Sequence, residues 1–251
     1  MRPSLWRLRY SPVCSMILCG LAFLPLIAGA DIADPHQIMQ RMASAYEGIT
    51  DYTAVFLKRE RIDGVLPELE KIELRFQEPF KIYMAWQRPY KGRVAVFVKG
   101  ENDDKVLISP DGMFSFMRLA LEPTSPRITR DSRHSILEAG LSNMIQHIMH
   151  EYRRGRAQQQ LDLRLRGHDH VDGRPAYHLE LVYPATRAVG YYAYRGEIWV
   201  DKEFYLPTKV LIYDWDNQLC EQYEYHRLRL NPGLGKEAFR LDPYGPEEDR
   251  S

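Results

Sequence analysis

Along the chain, apolar residues recur every three or four positions in two stretches and every second position almost everywhere else. The first helical stretch opens at Asp34-Pro35-His36-Gln37. Asp34 can cap it, Pro35 suits the first helical position, and Gln37 can reach back as in a capping box. Ile38, Met42, Ala45 and Ile49 then share a face, with Met39 and Tyr46 beside it, and the helix is predicted to stop near Gly48. From Tyr52 the period becomes two. "YTAVFLKRERIDGV" reads as a strand running into an Asp63-Gly64 turn. In "EKIELRFQ", Ile72, Leu74 and Phe76 alternate with Lys71, Glu73 and Arg75, which predicts one buried and one wet face. "PFKIYMAWQRP" puts Phe80, Ile82, Met84 and Trp86 on one side, and "RVAVFVKG" puts Val94, Val96 and Val98 on one side. "KVLISPDGMFSFM" turns at Pro110-Asp111-Gly112. Consecutive short strands with tight connections predict an antiparallel meander.

A second helix interrupts the strands. Ser135 and Glu138 stand at capping-box spacing. Ile136 or Leu137, Leu141, Met144 or Ile145, Ile148 and Tyr152 mark its apolar stripe, and "RRGRAQQQ" ends it. The preceding "LALEPTSPRITRDSRH" carries two prolines and reads as a loop, either a flexible connection or a lid. A second strand block starts at Leu161. It contains a hairpin around Asp172-Gly173, then "GEIWVDKEFYLPTKVLIYDWDNQL" and "CEQYEYHRLRLN". No interdomain linker separates the blocks, so one sheet covered by two helices is expected. The acidic end "DPYGPEEDRS" lacks hydrophobic residues, and 244–251 reads as a disordered tail.

Composition changes the picture at the N-terminus. "MRPSLWRLRYSP" is basic, "VCSMILCGLAFLPLIAGA" is mostly apolar, and Ala28-Gly29-Ala30 supplies small residues. Residues 1–30 therefore read as a Sec-type signal peptide cut after Ala30, which implies a periplasmic protein. Removing them takes away Arg2, Arg7 and Arg9 and no acid. The 34 basic residues become 31 against 34 acids, a formal charge of −3. Neither charge nor motif argues for nucleic acid. Cys220 is then the one remaining cysteine, so no internal disulfide can help and the core alone must stabilise the fold.

Candidate chemistry is sparse. In "HDHVDG", His168, His170 and Asp172 resemble part of a metallo-hydrolase run, and two imidazoles with a carboxylate suit zinc. Gly173 stands where that run needs another histidine, and the Asp172-Gly173 turn already explains two of the residues. His147, His150 and Glu151 lie on the second helix and read as a solvated polar face. "GLS" at 140–142 is placed inside that helix and is no nucleophile elbow. The expectation is a protein without cofactor or catalytic residues.

Shape remains. Antiparallel strands with an apolar face plus two amphipathic helices can close completely, or the helices can act as a lid over an apolar cavity. The candidate cavity face is the alternating set Ile72, Leu74, Phe76, Ile82, Met84, Trp86, Val94, Val96 and Val98, joined by Leu179, Leu181, Ile198 and Val200 from the second block.

"IWVDKEFYLPTKVLIYDWDNQL…YEYHRLRLNPGLGKEAFRL" resembles the C-terminal half of the periplasmic lipoprotein-carrier (LolA/LolB-like) superfamily. The matching elements are Trp199 and Asp201, Leu206-Pro207-Thr208-Lys209, the Asp216-Asn217 turn, the strand to Asn231, and "EAFRL" before Pro243. "EPFKIYMAWQRPYKGRVAVFVKG" and the second helix look more specifically like an uncharacterised bacterial family within it. The resemblance spans roughly residues 35–243. It implies an α+β fold, a half-open antiparallel β-barrel with helices covering the concave face, as a single LolA-like domain over 31–243. It also implies binding of a lipid or an acylated protein in an apolar cavity, as carrier or sensor. Two rivals stand beside that function: an envelope sensor or scaffold that binds a protein partner, and a metal-dependent hydrolase using His168, His170 and Asp172.

Overall fold

Asp34 caps the first helix as its sequence predicts: its carboxylate accepts the His36 N–H at 2.9 Å, and Pro35 occupies the first turn. The helix, α1, runs Pro35–Ser44 and buries Ile38, Met39 and Met42. A computed structural model of the protein describes residues 34–114, 117–184 and 186–241. The expected signal peptide and acidic tail lie outside the described residues.

Six strands follow α1: β1 Asp51–Glu60, β2 Glu70–Gln77, β3 Lys81–Arg88, β4 Val94–Val98, β5 Val106–Ser109 and β6 Leu119–Leu121. The short α2, Pro126–Thr129, and α3, Leu141–Ala157, come next. The second block comprises β7 Asp162–Val171, β8 Arg174–Val182, β9 Arg195–Asp201, β10 Pro207–Tyr213 and β11 Leu219–Leu230. All eleven make one antiparallel sheet in the order β6-β5-β4-β3-β2-β1-β11-β10-β9-β8-β7. Each block is a meander, and pairing of β1 with β11 joins them. The sheet is open, with β6 and β7 at its two ends. It nonetheless curls, because Met84 from one block and Ile198 from the other share one buried cluster with α1 and α3.

Local chemistry sets the turns. Asp172 (φ 52°) and Gly173 (φ 77°) both sit left-handed at the β7–β8 hairpin, which matches the twist of paired strands. Between β9 and β10, the Asp201 carboxylate accepts the N–H groups of Glu203 and Phe204 at 2.9 and 2.8 Å and pairs with Arg174 at 2.7 Å. Pro207 opens β10, where no ladder N–H is missed. Lys209 lies over the Trp199 ring at 4.6 Å and pairs with Glu224 at 3.4 Å. Asn231 ties the end of β11 to the start of β1, accepting the Thr50 N–H and donating to the Gly48 carbonyl.

The structure differs from the sequence reading at the start of α3 and in the segment before it, which reads as a loop in the sequence and holds the short α2. Ser135 caps only one 3₁₀ turn, Ile136–Glu138, accepting the Leu137 N–H at 3.3 Å. The helix proper starts at Leu141, whose N–H donates to the Tyr52 hydroxyl at 3.0 Å. Gly140, at φ +105°, separates the two, so the "GLS" residues stand at the helix entrance rather than within it. Part of the segment read as a loop, Leu119–Leu121, pairs with β5. Three residues are too few to show alternation.

Candidate functional site

Residues directly opposite in an antiparallel pair share a sheet face. The register therefore assigns the inner face: Phe56 with Ile72 and Trp86, Leu74 with Met84 and Ala95, and Phe76 with Ile82 and Phe97. In the second block, Leu181 faces Gly196 and Ile212, and Leu179 faces Ile198, Val210 and Tyr223. Helices α1 and α3 fill one part of this concavity. Ile72, Leu74, Phe76, Ile82, Leu179 and Val200 are buried there. The rest encloses a cavity of about 1150 Å³. Of the sequence-predicted set, Met84, Trp86, Leu181 and Ile198 line it.

Val94, Val96 and Val98 correct the sequence reading. They point to the outer face, where Val96 and Val98 pack with Tyr83 and Phe239 and where Val94, Leu234, Ala238 and Leu241 add to the cluster. Every residue of "VAVFV" is apolar, so alternation could not choose a face. The inward residues are Ala95 and Phe97. The segment that covers the outer face lies far along the chain, past β11.

Several lining residues stood outside the predicted cavity face. Phe56, Lys58 and Glu60 come from β1, Val106 and Ile108 from β5, and Glu221, Tyr223 and Tyr225 from β11. Ile128 and Ile136 come from the segment between β6 and α3, and Met144 and Ile148 from α3 itself. Val210 and Ile212 could have been found from parity, since they sit opposite Ile198 and Gly196.

One end of the cavity is polar. Glu60 and Glu221 face each other across β1 and β11 and are only 3% and 2% exposed. Two bare carboxylates there would repel and would lack solvation. The Ser132-Arg133-His134 run of the segment before α3 supplies their partners. The Arg133 N–H donates to Glu60 at 2.7 Å, and its side-chain Nε donates to Glu221 at 2.6 Å. Lys58 lies 3.3 Å from Glu60 and donates to Ser132 Oγ at 2.9 Å. Tyr223 donates to Glu60 at 2.5 Å, and Tyr192 donates to Glu221. His134 reaches Glu138 at 2.8 Å, the Tyr192 hydroxyl at 3.0 Å and Glu221 at 3.4 Å.

Ionisation follows from this geometry. The hydrogen bond to Glu221 raises the His134 pKa to about 9 against the opposing effect of burial, so the imidazole is cationic at neutral pH. Burial pushes the Glu221 carboxyl up, but hydrogen bonds from His134, Tyr192 and Arg133 outweigh it and hold the group below the usual range. Burial keeps the Tyr223 phenol protonated and donating. The network is a latch: it fixes the segment Glu122–Ala139 across the barrel wall.

His168, His170, Asp172 and Cys220 lie apart from the cavity. Asp172 Oδ2 accepts the Arg227 N–H at 2.6 Å, and His168 stacks near Tyr177. No group of three or more His, Cys, Asp or Glu among the described residues could hold a metal ion. Cys220 is buried, and burial pushes its thiol pKa up, which opposes thiolate formation. On α3, His147, His150 and Glu151 border the cavity.

An open antiparallel barrel that encloses an apolar cavity defines the architecture. The chain belongs to the family described as protein of unknown function DUF1571, whose pattern matches residues 49–247. No curated protein matches the chain. Among solved structures, the chain is similar to the Mycobacterium tuberculosis lipoprotein LppX. The identity is 12%, with 80% of this chain and 97% of that chain covered, at a TM-score of 0.48. It is also similar to a LolA superfamily protein from Nitrosomonas europaea, at 11% identity, 83% and 98% coverage and a TM-score of 0.33. MucB is a third, at 18% identity, 84% and 64% coverage and a TM-score of 0.47. The chain thus spans less than two thirds of the MucB chain it matches.

Proposed function

We propose that the protein is a non-enzymatic, periplasmic binding protein that holds an acyl chain in the inner cavity, as carrier or sensor. One observation carries the reading: helices bury one part of the inner face, while another part lines an apolar space of about 1150 Å³. That volume slightly exceeds the roughly 300–1,000 Å³ range of small-molecule pockets. Burying a chain of ~16 carbons at about 0.8 kcal/mol per CH₂ gives on the order of 12 kcal/mol gross, which ordering costs then reduce. The deeply buried acid–base groups, Glu60 and Glu221, direct their hydrogen bonds to the latch, which supports binding rather than catalysis.

A scaffold for a protein partner is the second reading. It is favoured by β7, whose ten residues form one free end of the sheet. Yet Arg164, Arg166 and the register shift between Leu165 and Gly167 are devices that discourage strand addition. The lipid reading is therefore preferred. Native mass spectrometry of gently purified protein tests it, with bound lipid as the expected result. A stable protein partner without lipid would support the scaffold instead.

A further inference from the structure

We infer that the lipid held in the cavity carries an anionic, phosphate-bearing head, received at the rim by Arg127 and Arg153. This inference rests on the lipid reading of the cavity. Its physical basis is the fate of each charge that lines the space.

The lining acids are already committed. Glu60 and Glu221 are buried in the latch. Glu70 accepts the Trp86 indole N–H at 2.5 Å, Asp111 pairs with Arg93 at 3.1 Å, and Glu151 accepts the Tyr192 N–H at 3.3 Å. At the exposed rim, Asp131 lies 3.5 Å from Arg130 and Glu138 pairs with His134. The lining cations are not all committed. Arg127 and Arg153 are exposed, border the same cavity, and have no acidic partner among the described residues. His147 stands exposed on the rim with them, and His150, also exposed, lies 3.8 Å from Glu151.

The outcome is a polarity gradient. The interior is apolar, its buried carboxylates are neutralised, and two arginines without acidic partners among the described residues stand at the opening. An amphiphile fits this arrangement with its chain inside and its charge outside. Arginine suits phosphate because its planar fork can donate two parallel hydrogen bonds. A zwitterionic choline head would bring its own cation to the same rim and lose that advantage.

The test uses the full folded protein and vesicles of equal parts phosphatidylglycerol and phosphatidylcholine. The protein is incubated, re-isolated and its bound lipids quantified by mass spectrometry. Phosphatidylglycerol is expected in excess by about tenfold, the scale of two partly exposed charge-assisted contacts. The double variant Arg127→Gln/Arg153→Gln should lose phosphatidylglycerol selectively, so that its ratio to phosphatidylcholine falls to near one. Both positions are exposed, so unchanged melting of the variant serves as the folding control. Equal capture of both lipids by the wild type would overturn the inference while leaving the cavity reading intact. So would an excess that survives the double substitution. Capture of no lipid would overturn the cavity reading and this inference with it. Glycerol phosphate, the head without chains, should not displace bound lipid; displacement would reassign the rim to a soluble phosphate compound.

Discussion

Gly140 shows how much one position can decide. Its φ of +105° is left-handed, and an added Cβ would meet the Phe76 ring at 2.9 Å. Gly173 shares the positive φ but has open space around it. Gly140→Ala is therefore expected to cost about 2–3 kcal/mol, from strain plus a clash in the core. Gly173→Ala should cost only about 1–2 kcal/mol, from strain alone. Urea denaturation of the two variants measures the difference, and equal losses would contradict the packing account. Asp201 is a second decisive residue. In the sequence it stood out only through the family resemblance, and its work was not legible: it holds Arg174 and two turn N–H groups while 1% exposed. Asp201→Ala should lower stability by about 2–3 kcal/mol, because those donors lose their acceptor together. Sequence spacing alone could not identify Arg174 as its partner, since 27 residues separate them.

Between β6 and α3, the segment Glu122–Ala139 has few buried side chains and is held chiefly by its polar latch. Its pH response follows from His134. The folded-state pKa, about 9, exceeds the ordinary value of 6.5. The stabilisation is therefore present in full below pH 6.5 and is lost as pH rises through about 9. Melting temperature should fall more for the wild type than for His134→Gln between pH 7 and pH 10; parallel curves would show that the latch does not depend on the imidazolium. Glu221 works in the opposite direction. Its depressed pKa contributes stability above the ordinary carboxyl value, lost as the pH drops below it. The sequence reading offered this segment as a connection or a lid. What it could not supply was the anchor, because Glu60 and Glu221 sit 72 or more residues away on different strands.

At the scale of the whole molecule, the cavity exists because the sheet curls without closing and two helices fill only part of it. Ile148, which lines the open part from α3, separates cavity from core in a single substitution. Ile148→Asp should sharply reduce lipid capture from vesicles, since an unpaired carboxylate would face the acyl chain. Melting should change little, as the side chain is only half-buried. Retained capture in a folded variant would place the ligand elsewhere. The sequence by itself determined most strands, most turns and the order of the main elements, because alternation, caps and glycine or proline positions are local properties of the chain. It also picked out Met84, Trp86, Leu181 and Ile198 among the lining residues, because one side of each strand was distinctly apolar. Only the tertiary structure decided which inward residues are packed and which border empty space, and it reversed Val94, Val96 and Val98 to the outer face. The physical reason is that alternation reports whether a face is dry, not what dries it. A helix, a distant segment such as Leu234–Leu241 or a bound lipid can each cover the same apolar surface, and that choice depends on contacts between residues far apart in the chain.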